Sequence, residues 1–457
     1  MIKKTFIAIG IISGVSLAFC LFAHRALAPI AEAAATPQTV QNVLLQKGIY
    51  FGTVLGQEDM SLDAPRPANY LSQIGQYFDL YTIPAFMFDT EPNGPGGFDF
   101  SRTDRSADFA VSHGAKIRGH NLVWGLDLPA WVKNGNYTPD QLQSILKNHV
   151  QTVVAHYAQK YPGQVIAWDV INEPVCDDGE ANCVNGLRTT IWSAIHKPGS
   201  TDPTDYISLA LQWAHQADPN AKLYINEYDV EYPNAKMDRL YSLLTTLRAQ
   251  GTPIDGVGFQ SHVNTVYTHT SQDLVQNMNR VAGLGLQSEV TELDVAIGNT
   301  SVVPPYALPQ TPESLNQQAT IYQSFVDACI RANNCNAVVV WGVWDPVSWL
   351  NDPFNGATIK TYYPDLLDNN FNPKPAFQAL VNEVNMLFPV ISPVQPQQPI
   401  YYAPQPAPVY YQPSIPVYVA PVQQPVVTPT KKPVVKKAVK KAAPKKAKKI
   451  IRRIFVY

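Results

Sequence analysis

Two glutamates at the ends of short β-branched runs have the types and spacing needed for chemistry. Glu173 ends the run in Trp-Asp-Val-Ile-Asn-Glu-Pro at residues 168–174, and Glu292 ends Val-Thr-Glu at residues 290–292. Carboxylates delivered by two strands of a parallel sheet can face each other across a sugar bond, which is the minimal equipment for glycoside hydrolysis. Asn172 adds a neutral donor that can hold a sugar hydroxyl. Either glutamate alone would more simply be a surface residue at a strand end.

The two glutamates are predicted to have different roles. Glu173 is the candidate general acid, which protonates the leaving oxygen and then takes a proton from water. Glu292 is the candidate nucleophile that forms a glycosyl-enzyme, which in a retaining enzyme places the two carboxyl groups about 5–5.5 Å apart. His262, two residues after Gln260, is expected to donate to Glu292, and Asp294 to orient that histidine. A purely structural histidine is an equal alternative for His262.

The pattern between about residues 38 and 388 alternates strand-like and helix-like stretches. Helical spacing of apolar residues begins at Thr138-Pro139 and recurs from Asp205, Ala235 and Ser314. Repeated strand–helix units over this length predict an α/β fold, a (β/α)8 TIM barrel with its site at the carboxyl ends of the strands. The strand candidates are residues 116–120, 165–170, 222–226, 256–260, 286–291 and 337–341.

The two ends of the chain differ in composition from this central part. Residues 1–35 combine a basic start with an apolar run and are interpreted as a signal peptide or an uncleaved N-terminal anchor. Residues 389–430 are a Pro/Gln/Tyr-rich stretch and predict an extended linker. Residues 431–457 form a basic tail, either a solvated disordered segment or a tether to anionic cell-envelope polymer or lipid. Because an exported chain is expected, nucleic acid is not expected as a partner.

Four of the five cysteines form two close pairs, Cys176 with Cys183 and Cys329 with Cys335, and the fifth, Cys20, lies in the apolar N-terminal run. Outside that run, an even number of cysteines in an exported chain favours two local disulfides over metal ligands, and no accompanying histidine pattern indicates zinc. We therefore expect a protein outside the cytoplasm, secreted or attached to the cell envelope. The predicted chemistry requires neither a metal nor an organic cofactor.

Nine segments of the chain carry a recognisable pattern: residues 118–124, 128–132, 168–174, 223–228, 254–262, 291–294, 340–345, 348–349 and 372–376. Together these segments resemble glycoside hydrolase family 10, the endo-β-1,4-xylanases, from about residue 45 to residue 385. The Cys329/Cys335 pair is similar to a disulfide seen in many members. The resemblance implies a polysaccharide substrate, xylan or a related β-glycan, and a monomer. Trp349 would stack on a glycone sugar, and Tyr228 would lie on the leaving-group side. The implied substrate-binding residues are His120, Trp124, Asn172, Tyr228, Gln260, Trp341 and Trp349.

The second-strand segment departs from the family pattern. Members usually carry a Glu-Asn-x-Met-Lys-Trp run there, whereas this chain has Tyr-Thr-Ile-Pro-Ala-Phe-Met-Phe-Asp at residues 81–89. The Glu, Asn and Lys of the family run bind the sugar through hydrogen bonds, and all three are missing here. Each lost hydrogen bond is expected to weaken sugar binding by about 1 kcal/mol. Aromatic residues such as Phe86, Phe88 and Trp344 are candidates to bind a differently decorated sugar instead. Two alternatives to a xylanase follow, a non-catalytic carbohydrate-binding surface protein and a β-glycosidase of shifted specificity.

Overall fold

Eight parallel strands form a closed barrel. A computed structural model describes residues 37–56, 67–301, 305–351 and 361–387. In that part of the chain each strand pairs with the next in order, and the eighth pairs with the first. This closure, with helices between the strands, is the predicted (β/α)8 barrel. The strands are β1 (Tyr50–Val54), β2 (Leu80–Pro84), β3 (Lys116–Val123), β4 (Val165–Asn172), β5 (Lys222–Glu227), β6 (Gly256–Phe259), β7 (Gln287–Ala296) and β8 (Cys335–Val340).

Helices separate the strands and cover the barrel. All six strand candidates and all four helical patterns are confirmed, with ends that shift by a few residues. The largest shift is at β7, which runs to Ala296 because His262–Asn264 pairs with residues 294–296 beyond the end of β6. The α-helices are Pro37–Leu45, Tyr70–Tyr77, Met87–Thr90, Ser101–Ser112, Ala130–Lys133, Pro139–Lys160, Asp205–Ala217, Ala235–Ala249, Ser271–Ala282, Pro312–Arg331 and Pro375–Leu387. The 3-10 helices are Ile191–Ala194, Asp345–Val347 and Trp349–Asn351.

The helix Pro139–Lys160 shows how local sequence sets an element. Thr138 accepts from the backbone N–H of Gln141, and the Gln141 side chain accepts from the backbone N–H of Thr138, so two otherwise unpaired donors are satisfied. Leu146 and Val150, four residues apart, are fully buried on one face of the helix. The cap therefore fixes where the helix begins, and the apolar stripe fixes which face packs on the barrel.

A glycine and a buried charge cluster shape the barrel interior. A Cβ on Gly119 would lie 2.1 Å from the ring of Trp168, so only glycine lets β3 and β4 pack here. Next to it, Arg118 is buried and donates from Nε to Glu289 at 2.7 Å and from Nη2 to Asp169 at 2.6 Å. Two carboxylates compensate the buried guanidinium, which would otherwise be costly in this interior.

Two further contacts hold β8 and the end of the barrel. A disulfide joins Cys329, in the helix before β8, to Cys335 at the start of that strand. After β8, the buried Lys374 donates from Nζ to both oxygens of Asp345, at 3.2 and 3.1 Å. Because Lys374 directly precedes the helix Pro375–Leu387, this ion pair anchors the closing helix to the barrel rim.

Three of the predicted segments lie outside the described residues: the N-terminal segment 1–35, the linker 389–430 and the basic tail 431–457. Among the helices that are described, none combines the length and the apolar character needed to cross a membrane.

Candidate active site

The fold brings the two predicted carboxylates to the same end of the barrel. Glu173 directly follows β4, and its backbone N–H donates to the carbonyl of Asn226 on β5 at 2.8 Å. Glu292 lies within β7, buried, and its backbone N–H donates to the carbonyl of Gln260 at 2.8 Å. The backbones that carry the two glutamates are therefore fixed by the strands beside them.

Three side chains donate to the carboxylate of Glu173. Its Oε1 accepts from Asn172 Nδ2 at 3.3 Å and from Gln260 Nε2 at 3.0 Å. Its Oε2 accepts from the indole Nε1 of Trp124 at 3.1 Å. All three donors were predicted as substrate-binding residues, and the structure places them around this one carboxylate.

Asn226 connects the two glutamates. Its Nδ2 donates to Asn172 Oδ1 at 2.9 Å and to Glu292 Oε1 at 2.6 Å, while Thr291 Oγ1 donates to its Oδ1 at 2.7 Å. A continuous path of side-chain hydrogen bonds thus runs from Glu173 through Asn172 and Asn226 to Glu292. The sequence analysis placed Asn226 in a predicted strand but not among the site residues. The only signal for it is a polar residue that ends the apolar run Leu-Tyr-Ile at residues 223–225.

His262 and Asp294 hold the other side of Glu292. His262 donates from Nε2 to Glu292 Oε2 at 3.1 Å and from Nδ1 to Asp294 Oδ2 at 3.0 Å. Burial lowers the pKa of His262, but the charge of Asp294 and the hydrogen bonds to both carboxylates outweigh it and hold this pKa well above the usual range. The protonated imidazole therefore places a positive charge next to the carboxylate of Glu292.

The result for Glu292 is a carboxylate that stays ionised. Burial raises its pKa, but the charge of His120 and the hydrogen bond and charge of His262 outweigh burial, so the pKa lies below its usual value. His120 Nδ1 lies 3.7 Å from Glu292 Oε1 and donates to Asp169 Oδ2 at 2.8 Å. A low pKa suits a nucleophile, which must be unprotonated to attack.

Two tryptophans border this polar cluster. The Trp341 ring stands edge-on to His120, with centroids 5.2 Å apart, and 6.2 Å from His262. Trp349 is 42% exposed, lies 4.9 Å from the His262 ring and donates from Nε1 to Asp294 Oδ2 at 2.7 Å. Their position beside the carboxylates gives flat apolar surfaces on which a pyranose ring can stack.

The three aromatic residues predicted to bind sugar lie in different surroundings. β2 ends at Pro84, and the Phe86 ring stacks on Phe88 at 5.6 Å and on Trp124 at 5.8 Å. The prediction for Trp344 was wrong, because this side chain is only 7% exposed and packs against the aromatic core. The side chain of an aromatic residue that follows a strand can point into the site or into the core, and its position in the sequence does not show which.

Tyr228 lies in a separate ionic cluster on the β5 side. Its hydroxyl donates to Asp177 Oδ2 at 2.5 Å and accepts from Arg188, while Lys236 Nζ lies 3.1 Å from its ring centroid. Arg188 also donates to the backbone carbonyl of Glu173 at 2.9 Å. Tyr228 is therefore connected to the carboxylate cluster through Arg188 and the backbone of Glu173.

The four predicted cysteines form two disulfides, Cys176–Cys183 in the loop after Glu173 and Cys329–Cys335 at the amino end of β8. Glu180 lies close to the first pair, and these three residues are the one group of metal-type ligands in the described part of the chain. Because both sulfurs are bonded to each other, they are not available as thiolate ligands.

A closed (β/α)8 barrel with two paired glutamates at its carboxyl end defines the class of glycoside hydrolases. The family model of glycosyl hydrolase family 10 matches residues 39–383, and the chain belongs to that family. Endo-1,4-beta-xylanase A of Phanerodontia chrysosporium is 37% identical over 332 residues, 73% of each chain. Endo-1,4-beta-xylanase of Agaricus bisporus is 35% identical over 73% of this chain and 90% of its own length. Xylanase 10B of Thermotoga petrophila RKU-1, solved with xylobiose, has a TM-score of 0.66 and 28% identity, covering 76% of this chain and 97% of that one.

Proposed function

We propose that the protein is a secreted, retaining endo-β-1,4-xylanase that acts with Glu173 as acid/base and Glu292 as nucleophile. The observation that carries the proposal is the hydrogen-bond path that joins the two carboxylates through Asn172 and Asn226. Relatives that are named endo-1,4-beta-xylanases, and a similar fold solved with xylobiose, support xylan as the substrate.

The proposed reaction has two displacements. In the first, Glu292 attacks the anomeric carbon, the bond to the leaving oxygen breaks, and Glu173 gives that oxygen its proton. In the second, Glu173 takes a proton from water, the water oxygen attacks the same carbon, and Glu292 is released. Asn172, beside Glu173, is proposed to hold the sugar 2-hydroxyl, an interaction that strengthens as the ring flattens.

The different environments of the two glutamates support this division of roles. His262 and His120 favour the ionised form of Glu292, as a nucleophile requires. In the described part of the chain, the indole of Trp124 and the amides of Asn172 and Gln260 donate to the Glu173 carboxylate, and all three groups are neutral. A pure carbohydrate-binding protein has little need for a histidine–aspartate pair behind one of two linked carboxylates, so the non-catalytic alternative is disfavoured.

The test replaces each carboxylate by its amide. Glu173→Gln and Glu292→Gln are each expected to abolish nearly all release of reducing sugar from xylan. Asp255→Asn, at the amino end of β6 where its Oδ1 pairs with the exposed Lys222, is the matched control and should retain activity. Proton NMR of the first product should show the β-anomer, and an initial α-anomer would contradict the retaining mechanism. Full activity in either glutamine variant would contradict the assigned roles.

A second candidate is a β-glycosidase of shifted specificity, and the stack of Phe86 on Phe88 and Trp124 favours it. These rings lie beside His120, where the Phe86 centroid is 5.4 Å away, and they offer apolar surface rather than hydrogen bonds to a sugar. Relative kcat/KM on aryl β-xylobioside and aryl β-cellobioside separates the candidates. A preference for the cellobioside would overturn the xylanase proposal.

Placement outside the cytoplasm is part of the proposal. The two disulfides support it, because such bonds persist in oxidising compartments. The ten lysines and two arginines from residue 384 onwards, with no acidic residue, support contact of the tail with an anionic cell-envelope polymer. We expect a monomer, with its polysaccharide substrate as the main partner. Fractionation of cells that express the full chain and a chain ending at residue 430 tests both points.

A further inference from the structure

The loop after Glu173 folds back onto the residue it starts from. Residues 174–188 leave the end of β4 and return as a small hairpin of Cys183–Val184 and Leu187–Arg188. The backbone N–H of Arg188 donates to the carbonyl of Pro174 at 2.8 Å. The disulfide Cys176–Cys183 closes the same loop. The hairpin is thus fastened at its base, next to the proposed acid/base residue.

Arg188 occupies the centre of this loop, with its side chain 9% exposed. Its Nη1 donates to the carbonyl of Glu173 at 2.9 Å. Its Nε donates to Glu180 Oε2 at 3.0 Å, and its Nη2 donates to Asp177 Oδ2 at 3.0 Å and to the hydroxyl of Tyr228. A planar guanidinium bound on all sides in this way has a fixed orientation.

The carbonyl that Arg188 binds belongs to a residue in an unfavourable backbone conformation. Glu173 has φ +54°, in the left-handed region that side chains other than glycine seldom adopt. Such conformations persist where surrounding contacts enforce them. Both peptide units that flank the Glu173 Cα are held: the Glu173 N–H donates to the carbonyl of Asn226, and the Glu173 carbonyl accepts from Arg188.

We propose that Arg188 is a positioning residue for Glu173 and that the Cys176–Cys183 hairpin holds Arg188 in place. The guanidinium fixes the backbone of Glu173 so that its carboxyl group points to the leaving oxygen. Arg188 itself does not touch the substrate. The inference rests on the proposed acid/base role of Glu173 and extends it to the loop of residues 174–188.

Proton donation to the leaving group provides a specific readout. A strongly acidic phenol such as dinitrophenol departs without a proton, whereas a weakly acidic phenol or a sugar needs one. Because kcat/KM reports the first displacement, a defect in Glu173 positioning lowers kcat/KM for poor leaving groups and spares it for dinitrophenyl β-xylobioside. Damage to folding or to sugar binding would lower both alike.

The first variant is Arg188→Met, measured on a series of aryl β-xylobiosides of decreasing phenol acidity. For the least acidic phenol, kcat/KM should fall by about 10- to 100-fold, and for dinitrophenol by less than about threefold. Arg188→Lys should recover part of the loss. A loss of equal size on all substrates would overturn the proposal.

A second pair of variants keeps Arg188 and its charge partners intact. Cys176→Ser/Cys183→Ser should show the same dependence on the leaving group. Cys329→Ser/Cys335→Ser removes a disulfide at the amino end of β8 and serves as the matched control, with no such dependence expected. If the first double variant behaves like the control, the hairpin does not hold Arg188 and this part of the proposal is wrong.

Glu173→Ala separates failure of this inference from failure of the proposed function. If Glu173→Ala shows the dependence on leaving group and Arg188→Met does not, only the role of Arg188 is refuted. If Glu173→Ala shows none either, the acid/base assignment itself is refuted.

Discussion

The side-chain amide of Asn226 on β5 donates to the carboxylate of Glu292 on β7 at 2.6 Å, although β6 lies between the two strands. The contact is made across the barrel interior, in which β6 contributes Gly258 at this level. A Cβ on Gly258 would lie 2.2 Å from Asn226 Oδ1. The small residue on the middle strand therefore leaves room for a direct hydrogen bond between its two neighbours.

Replacing Asn226 tests the importance of this contact. Asn226→Ala removes a donor from an ionised carboxylate and should lower kcat/KM by about 10- to 100-fold, as expected for a hydrogen bond to a charged group. Steady-state kinetics on aryl β-xylobioside measures the loss. Asn220→Ala, in the exposed turn before β5, should leave kcat/KM unchanged. Near-normal activity in Asn226→Ala would mean that the bond does not support the reactive form of Glu292.

His262 is expected to set the acidic limb of the pH–rate profile. The hydrogen bond and charge of His262 help to lower the pKa of Glu292, so their removal raises that pKa. A higher pKa means that Glu292 becomes protonated at higher pH. In His262→Gln the acidic limb of kcat/KM should therefore move to higher pH. His215→Gln, exposed on the helix Asp205–Ala217, should leave the profile in place. An acidic limb that does not move would show that His262 does not control Glu292.

Lys374 is expected to contribute to stability rather than to chemistry. Lys374→Met leaves the buried Asp345 without its cation and should lower the free energy of unfolding by about 3–5 kcal/mol. Urea unfolding of this variant and of Asp345→Asn/Lys374→Met measures the effect, and the double variant should recover part of the loss. Equal stability of Lys374→Met and the unmodified protein would contradict the role of this pair.

The same variant should be sensitive to pH. Burial outweighs the charge of Lys374 and raises the pKa of Asp345 to about 6, and without the lysine this pKa rises further. A carboxyl group with a raised pKa in the folded state binds a proton more readily than in the unfolded state. The loss of stability in Lys374→Met should therefore be smaller at about pH 5 than at about pH 8.

The fold was largely predictable because alternation of apolar runs and helical spacing is a local signal. The helix Pro139–Lys160 was predicted from Thr138 and Pro139 at its start, and the structure confirms it. The length of β7 was not predictable, because it depends on pairing with His262–Asn264 beyond the end of β6. Such pairing is set by tertiary packing and leaves no trace in the sequence of either segment.

Site residues that belong to a sequence motif could be predicted. Site residues whose role depends on contacts in the folded structure could not. Glu173 and Glu292 follow β-branched runs that imply a strand end. Asn226 and Arg188 gave no such signal, because their roles depend on hydrogen bonds that only the folded chain brings together. Their partners are 66 and 15 residues away in sequence. Trp344 is the opposite case: it was predicted to bind sugar because it is an aromatic residue near a strand end, but its side chain packs into the core.

The polar cluster draws on alternate strands of the barrel, with His120 from β3, Asn226 from β5 and Glu292 from β7. No fragment that lacks one of these strands contains the full constellation. During refolding, hydrolysis should therefore recover only when β3, β5 and β7 have come together. Far-ultraviolet circular dichroism would register helices that form earlier. The enzyme assay can thus be used to measure the rate at which the barrel closes.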